Sequence, residues 1–168
     1  MSMTFQRFYV AKMPQKIKKH LALIIAEFFY CGKSPYAPGT VGSLGALVIW
    51  VPALYCAWPL WLMLLILVIL FITGLWASTY GIAKYKKSDP KQVVIDEVVG
   101  LGLPFLVINA NFIEIICAFV LFRFFDIIKP WPISYVEKRF KNEWGIMLDD
   151  VVAGLFAMII LVLGKVFL

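Results

Sequence analysis

Residues 61–80 contain no charged side chain. A helix of about 20 such residues is about 30 Å long, which matches the hydrocarbon core of a bilayer. In that medium each backbone polar group must be satisfied internally, so the run points to an all-α, multi-pass membrane bundle. The composition agrees, because 62% of the 168 residues are hydrophobic, against about 45–50% in an ordinary soluble domain. Residues 93–108, 112–125 and 151–167 are read as further spans, and 44–57 as the shortest. Residues 14–30, with lysines at the start and an apolar remainder, are read as an amphipathic helix lying in the interface. The expectation is five spans and one interfacial helix in a single domain covering 1–168, since no linker divides the chain.

The net charge of +6 raises the question of nucleic acid. The cations instead fall in short clusters between apolar runs, the pattern that sets membrane orientation, and nucleic-acid binding is not expected. One cluster is Arg7, Lys12, Lys16, Lys18 and Lys19, a second spans 84–91, and a third spans 123–141. The turns at Trp58-Pro59 and Asn109-Ala110-Asn111 carry none. The amino terminus and all three clusters are therefore expected in the cytoplasm, with the carboxyl end outside. The first residues lack a small-residue cleavage site after a short apolar core and are expected to be retained. Cys31, Cys56 and Cys117 suggest neither a disulfide framework nor a thiolate metal site.

In this topology Asp96 and Glu97 open the third span, Asp126 closes the fourth, and Asp149 and Asp150 open the fifth. All five carboxylates face the cytoplasmic side. Acids set in apolar sequence need water, a cation or a basic partner. Several hard oxygen donors without a histidine cluster suit Mg²⁺. An isolated pair would be explained by the helix dipole, or for Asp126 by pairing with Arg123 or Lys129; two pairs and a third acid on one face favour a metal or catalytic site. The loop 33–43 arrives at the same side. Its Gly39, Thr40, Gly42 and Ser43 could cradle a phosphate or form an ordinary capped turn. Arg123 and Lys129 could grip phosphate oxygens, whereas Lys138, Arg139 and Lys141 are read as surface charges. Cys117 and Arg123 have the spacing of a cysteine phosphatase, but the stretch between them is apolar and unsuited to an exposed thiolate loop. Glu27 is left without an assigned role, and Glu114 is read as structural.

These motifs together resemble the phosphatidylglycerophosphatase A family. The resemblance rests on Ser34-Pro35 with Pro38-Gly39-Thr40 and Gly42-Ser43, on Asp96-Glu97 with Gly100, and on Phe122-Arg123 with Asp126 and Lys129-Pro130-Trp131-Pro132. It continues through Gly145-Ile146-Met147-Leu148-Asp149-Asp150 with Ala153-Gly154, so the motifs lie within 31–154. Glu143-Trp144 stands where the family often has a glycine pair, and Ile95 where it often has Trp. The resemblance implies removal of the terminal phosphate of phosphatidylglycerol phosphate, with Mg²⁺ required, at the cytoplasmic surface of a bacterial inner membrane during phospholipid biosynthesis.

The expected site therefore has Asp96, Glu97, Asp149 and Asp150 as Mg²⁺ ligands, and Asp126, Arg123 and Lys129 as catalytic groups. Thr40, Ser43, Gly39 and Gly42 are expected to bind substrate. Direct attack by water is favoured over an aspartyl-phosphate, because the Asp-x-Asp-x-Thr/Val nucleophile motif is missing. The expected partners are phosphatidylglycerol phosphate and membrane lipids; no segment identifies a protein partner. The alternatives are a phosphatidyltransferase, whose Asp-Gly-x-x-Ala-Arg signature is missing, and a small transporter, which carboxylates gathered at one face disfavour.

Overall fold

A computed structural model of the chain describes residues 14–167. Arg7, Lys12 and the reading of the first residues as retained lie outside the described residues. Among the described residues there are seven α-helices and no strand: α1 Gln15–Ala26, α2 Pro38–Tyr55, α3 Leu60–Tyr85, α4 Ile95–Phe105, α5 Phe112–Ile128, α6 Ile133–Arg139 and α7 Glu143–Phe167. Three of them, α2, α3 and α7, are long and apolar enough to cross a membrane.

The bundle is built around α4, whose residues are almost all buried. With 11 residues it is about 16 Å long, half the thickness of the hydrocarbon core. It ends at Phe105, one residue after Pro104, within the run read as a span over 93–108. Two glycines bring it against α7. A Cβ on Gly100 would lie 2.5 Å from Phe122 and 2.7 Å from the Asp150 carbonyl, and one on Gly154 would overlap the Gly100 carbonyl. Gly100 and Gly154 thus permit backbone contact between the two acid-bearing helices. On the other side of α4, the Trp50 indole of α2 donates to the Val98 carbonyl at 2.9 Å, which satisfies a fully buried N–H.

Leu65, Val68, Ile69 and Ile72 of α3, Ile116, Val120 and Phe124 of α5, and Ile159, Ile160 and Leu163 of α7 point outward and are exposed. The buried set, by contrast, includes Glu27, Asp96, Glu97, Asp149 and Asp150. An apolar exterior around buried acids is the arrangement of a chain dissolved in lipid.

Two helix boundaries correct the sequence reading. Helix α2 begins at Pro38 rather than at 44, so Gly39, Thr40, Gly42 and Ser43 lie in its first turns instead of in a loop. Proline at the first helical position costs no hydrogen bond, and the left-handed Ala37 just before it turns the chain in. Helix α7 begins at Glu143 rather than 151, so Asp149 and Asp150 sit well inside it and do not open it.

The helices α2, α3, α4, α5 and α7 run between the same two ends of the bundle. At one end, the turn after α2 and the turn after α4 line a common cavity with Trp58 and Asn109. There too Lys165 reaches the Val107 carbonyl at 2.8 Å and Glu114 at 2.6 Å. Glu114 is thus placed in a structural ion pair. At the other end lie the start of α2, the start of α4, the end of α5 and the acids of α7.

Candidate active site

Helix α4 enters this polar end with Asp96 and Glu97 in its first turn, and α7 passes it carrying Asp149 and Asp150. All four carboxylates are at least nine-tenths buried. Oxygens of Asp96, Glu97 and Asp150 lie within 4.8 Å of one another. One oxygen of Glu97 and one of Asp150 are buried without a hydrogen-bond partner. Three converging acids, two of them with an orphaned oxygen, would repel one another in a dry site, so the donor set fits a hard divalent cation.

The fourth acid is engaged differently. Asp149 receives Lys129 at 2.5 Å, and Lys129 also lies 3.3 Å from Glu137. Burial alone would lower the Lys129 pKa, but Asp149, with Asp150 and Glu137, outweighs it and holds the ammonium above the ordinary lysine range. Lys129 reaches inward because it is the left-handed residue that ends α5.

Arg123, six residues earlier, meets Asp126 at 2.6 Å, the Ser43 hydroxyl at 3.2 Å and Glu97 at 4.0 Å. An acid in the last turn of a helix opposes the dipole, and the Arg123 pairing offsets this for Asp126. Ser43 accepts from Arg123 and donates to the Gly39 carbonyl at 3.0 Å. Gly39 has no room for a side chain, since a Cβ there would stand 2.5 Å from Glu97 and 3.3 Å from Arg123. Gly42 is packed on Val94 instead, and Thr40 is half-buried on the first turn of α2.

Together these elements border an open cavity of ≈ 190 Å³ lined by Gly39, Asp96, Glu97, Asp126, Asp149 and Asp150. Asp89 and Lys91 also reach it. Sequence reasoning passed over both, because they lie in a loop whose other charges mark topology; an acid within a basic cluster was the available signal.

The entry to α4 is held from behind. Glu27, at the end of α1, is buried and receives Lys84 at 2.6 Å, the Tyr85 hydroxyl at 2.7 Å and Lys33 at 3.4 Å. Burial favours its neutral form, but the bonds from Lys84 and Tyr85 prevail and lower its pKa. Beside it the Val94 N–H donates to the Ala26 carbonyl at 2.8 Å, and Gly32 lies flat on the Gln92 backbone. Asp96 and Glu97 therefore follow a segment stitched to the α1 corner.

Known proteins resemble this chain over most of its length. The family model described as phosphatidylglycerophosphatase A matches residues 24–165. A Bacteroides thetaiotaomicron protein named "Putative phosphatidylinositol-3-phosphatase" is 38% identical over 86% of this chain and 94% of its own. Proteins named phosphatidylglycerophosphatase A are similar as well. The one from Escherichia coli is 32% identical over 80% of this chain and 77% of its own, and the one from Haemophilus influenzae is 34% identical over 82% and 84%. No solved structure matches. The chain belongs to the phosphatidylglycerophosphatase A family.

Proposed function

We propose that this enzyme, a phosphatidylglycerophosphatase by family, hydrolyses the terminal phosphate monoester of phosphatidylglycerol phosphate to give phosphatidylglycerol and phosphate. The observation that carries the reading is the convergence of Asp96, Glu97 and Asp150 on one open cavity, with Arg123 4.0 Å from Glu97 and Lys129 paired to the neighbouring Asp149. Asp96, Glu97 and Asp150 would hold Mg²⁺, which supplies positive charge against the phosphate. Asp149 would hold Lys129 in place, a change from the expectation that all four acids are metal ligands.

In this reading Arg123 and Lys129 donate to the nonbridging oxygens. Ser43 fixes the Arg123 guanidinium, and Gly39, having no side chain, lets Glu97 and Arg123 approach the start of α2. Thr40, on the same helix start, adds a hydroxyl at the rim, and Gly42 keeps α2 close to Val94. Asp126 orients the attacking water. The water oxygen bonds to phosphorus as the bond to the alcohol oxygen breaks, and the proton given up by the water ends on the departing alcohol.

We place the site at the cytoplasmic face of a bacterial inner membrane, in phospholipid biosynthesis, with α1 in the interface and α2, α3, α4, α5 and α7 making five passes. The common ends of these helices support five passes, and α4 can be short because it is enclosed by protein. One observation favours a second substrate, phosphatidylinositol phosphate: the relative from Bacteroides thetaiotaomicron carries that specificity in its name and is 38% identical. Phosphate release from the two lipids by the purified protein tests the reading. Release from phosphatidylglycerol phosphate supports it, release from the inositol lipid alone transfers it to the second substrate, and release from neither sinks it.

A further inference from the structure

A second cavity, of ≈ 340 Å³, opens beside the carboxylate site, and Asp89 and Asp149 belong to the walls of both. It lies between the loop before α4 and the corner joining α6 to α7, with Ser88, Glu137, Lys138, Lys141 and Asn142 around it. This corner is firmly seated: Ile133 is fully buried, and Gly145 lies against the Phe140 carbonyl so closely that a Cβ would overlap it. Glu137 meets Lys129 at 3.3 Å, which ties the second cavity to the first.

The chemistry of the walls narrows the occupant. Carboxylates only accept hydrogen bonds, ammonium groups only donate, and serine and asparagine side chains do both. A bare anion would face Asp89, Glu137 and Asp149, and an alkyl chain would leave these groups without partners. A polyhydroxy alcohol, each of whose hydroxyls both donates and accepts, suits such a mixture. The exposed Lys138 and Lys141 stand where an attached phosphodiester could meet them. With the scissile phosphate among Asp96, Glu97 and Asp150, the alcohol bonded to it needs space next to that site, and this cavity adjoins it through Asp89 and Asp149.

We propose that this second cavity receives the polyol headgroup that leaves during hydrolysis, and that Glu137 and Asn142 select which polyol phosphate lipid is used. The inference rests on the phosphatase reading and adds a specificity site to it. Glycerol and inositol share the required chemistry, and a comparison of their two lipids separates them.

The test is kcat and KM of the purified full-length protein on phosphatidylglycerol phosphate and on phosphatidylinositol phosphate, for wild type, Glu137→Gln and Asn142→Asp. Asn142 Oδ1 accepts from the Gly145 N–H at 3.4 Å at the start of α7, and aspartate preserves that cap while removing the amide donor. The expected result is a change of about tenfold or more in the ratio of kcat/KM between the lipids in at least one variant, carried mainly by KM. Equal changes on both lipids, or none, in both variants would overturn the specificity site while leaving the phosphatase reading intact. If wild type releases phosphate from neither lipid, the reading and the inference both fall.

Discussion

Lys129 at the end of α5 reaches Asp149 in the second turn of α7 at 2.5 Å, joining the Lys129-Pro130-Trp131-Pro132 block to the Asp149-Asp150 block. Without Lys129, Asp149 would be a buried charge without its cation, and without Asp149 the ammonium would keep only the more exposed Glu137. Lys129→Met is expected to lower kcat/KM by about 10²–10³, the usual effect of losing one preorganised donor to a developing charge. Lys129→Arg should restore only part of the rate, since a planar guanidinium does not replace a compact ammonium. Steady-state kinetics on the lipid phosphate decides this, and a wild-type rate in Lys129→Met would remove Lys129 from the mechanism.

Ser43 is placed to act through Arg123. Because Arg123 keeps Asp126 when the hydroxyl is lost, Ser43→Ala is expected to reduce kcat/KM by about tenfold, the lower end for a hydrogen bond to a charged group. Ser43→Thr, which retains the hydroxyl, should fall less. Equal loss in both variants would assign Ser43 to packing.

The approach of α4 to α7 is predicted to control stability and activity together. In Gly154→Ala the new methyl would overlap the Gly100 carbonyl, and because this is backbone the cost should reach the upper part of the about 1–3 kcal/mol range for overpacking. Thermal unfolding in detergent measures the first effect. Phosphate release measures the second, since separating the helices moves Asp150 away from Asp96 and Glu97.

Glu27 is expected to matter through stability. Its pKa lies below the ordinary glutamate value of 4.5 in the folded protein, so its contribution is fully present above 4.5 and is lost as pH falls through the folded value. Its partners Lys84 and Lys33 remain partly exposed. Glu27→Gln should therefore cost about 1–3 kcal/mol, less than breaking a fully buried pair. The Tm gap to wild type should be widest at neutral pH and shrink as the pH is lowered past the carboxylate range; a gap that widens on acidification would contradict the assignment.

The sequence carried the helical class and the residues of the site further than it carried their geometry. Uninterrupted apolar runs marked α3 and the later part of α7, and the paired acids stood out because charge is costly next to lipid. The start of α2 was misplaced because proline and glycine ordinarily punctuate loops, whereas Pro38 here begins the helix. Asp149 and Asp150 were placed at a helix entrance because polarity changes there, although α7 had already run six residues past Glu143. The division of labour between Asp149 and its neighbour Asp150 was not legible, since adjacent helical residues point about 100° apart and only the fold decides which faces Lys129. Asp89 was hidden by the lysines around it, and the Glu27 contacts depend on how α1 docks on α3.

The most direct measurement is phosphate release from phosphatidylglycerol phosphate by purified wild type and Asp150→Asn, each with Mg²⁺, with EDTA, and with Mg²⁺ restored. The account predicts that wild type is active with Mg²⁺, silent in EDTA and active again on restoration. Asp150→Asn, folded to the same Tm or higher because one buried charge is gone, should lose about 10³-fold or more at every condition. Undiminished release in EDTA, or wild-type turnover by Asp150→Asn, would contradict a carboxylate-held cation at the centre of this site.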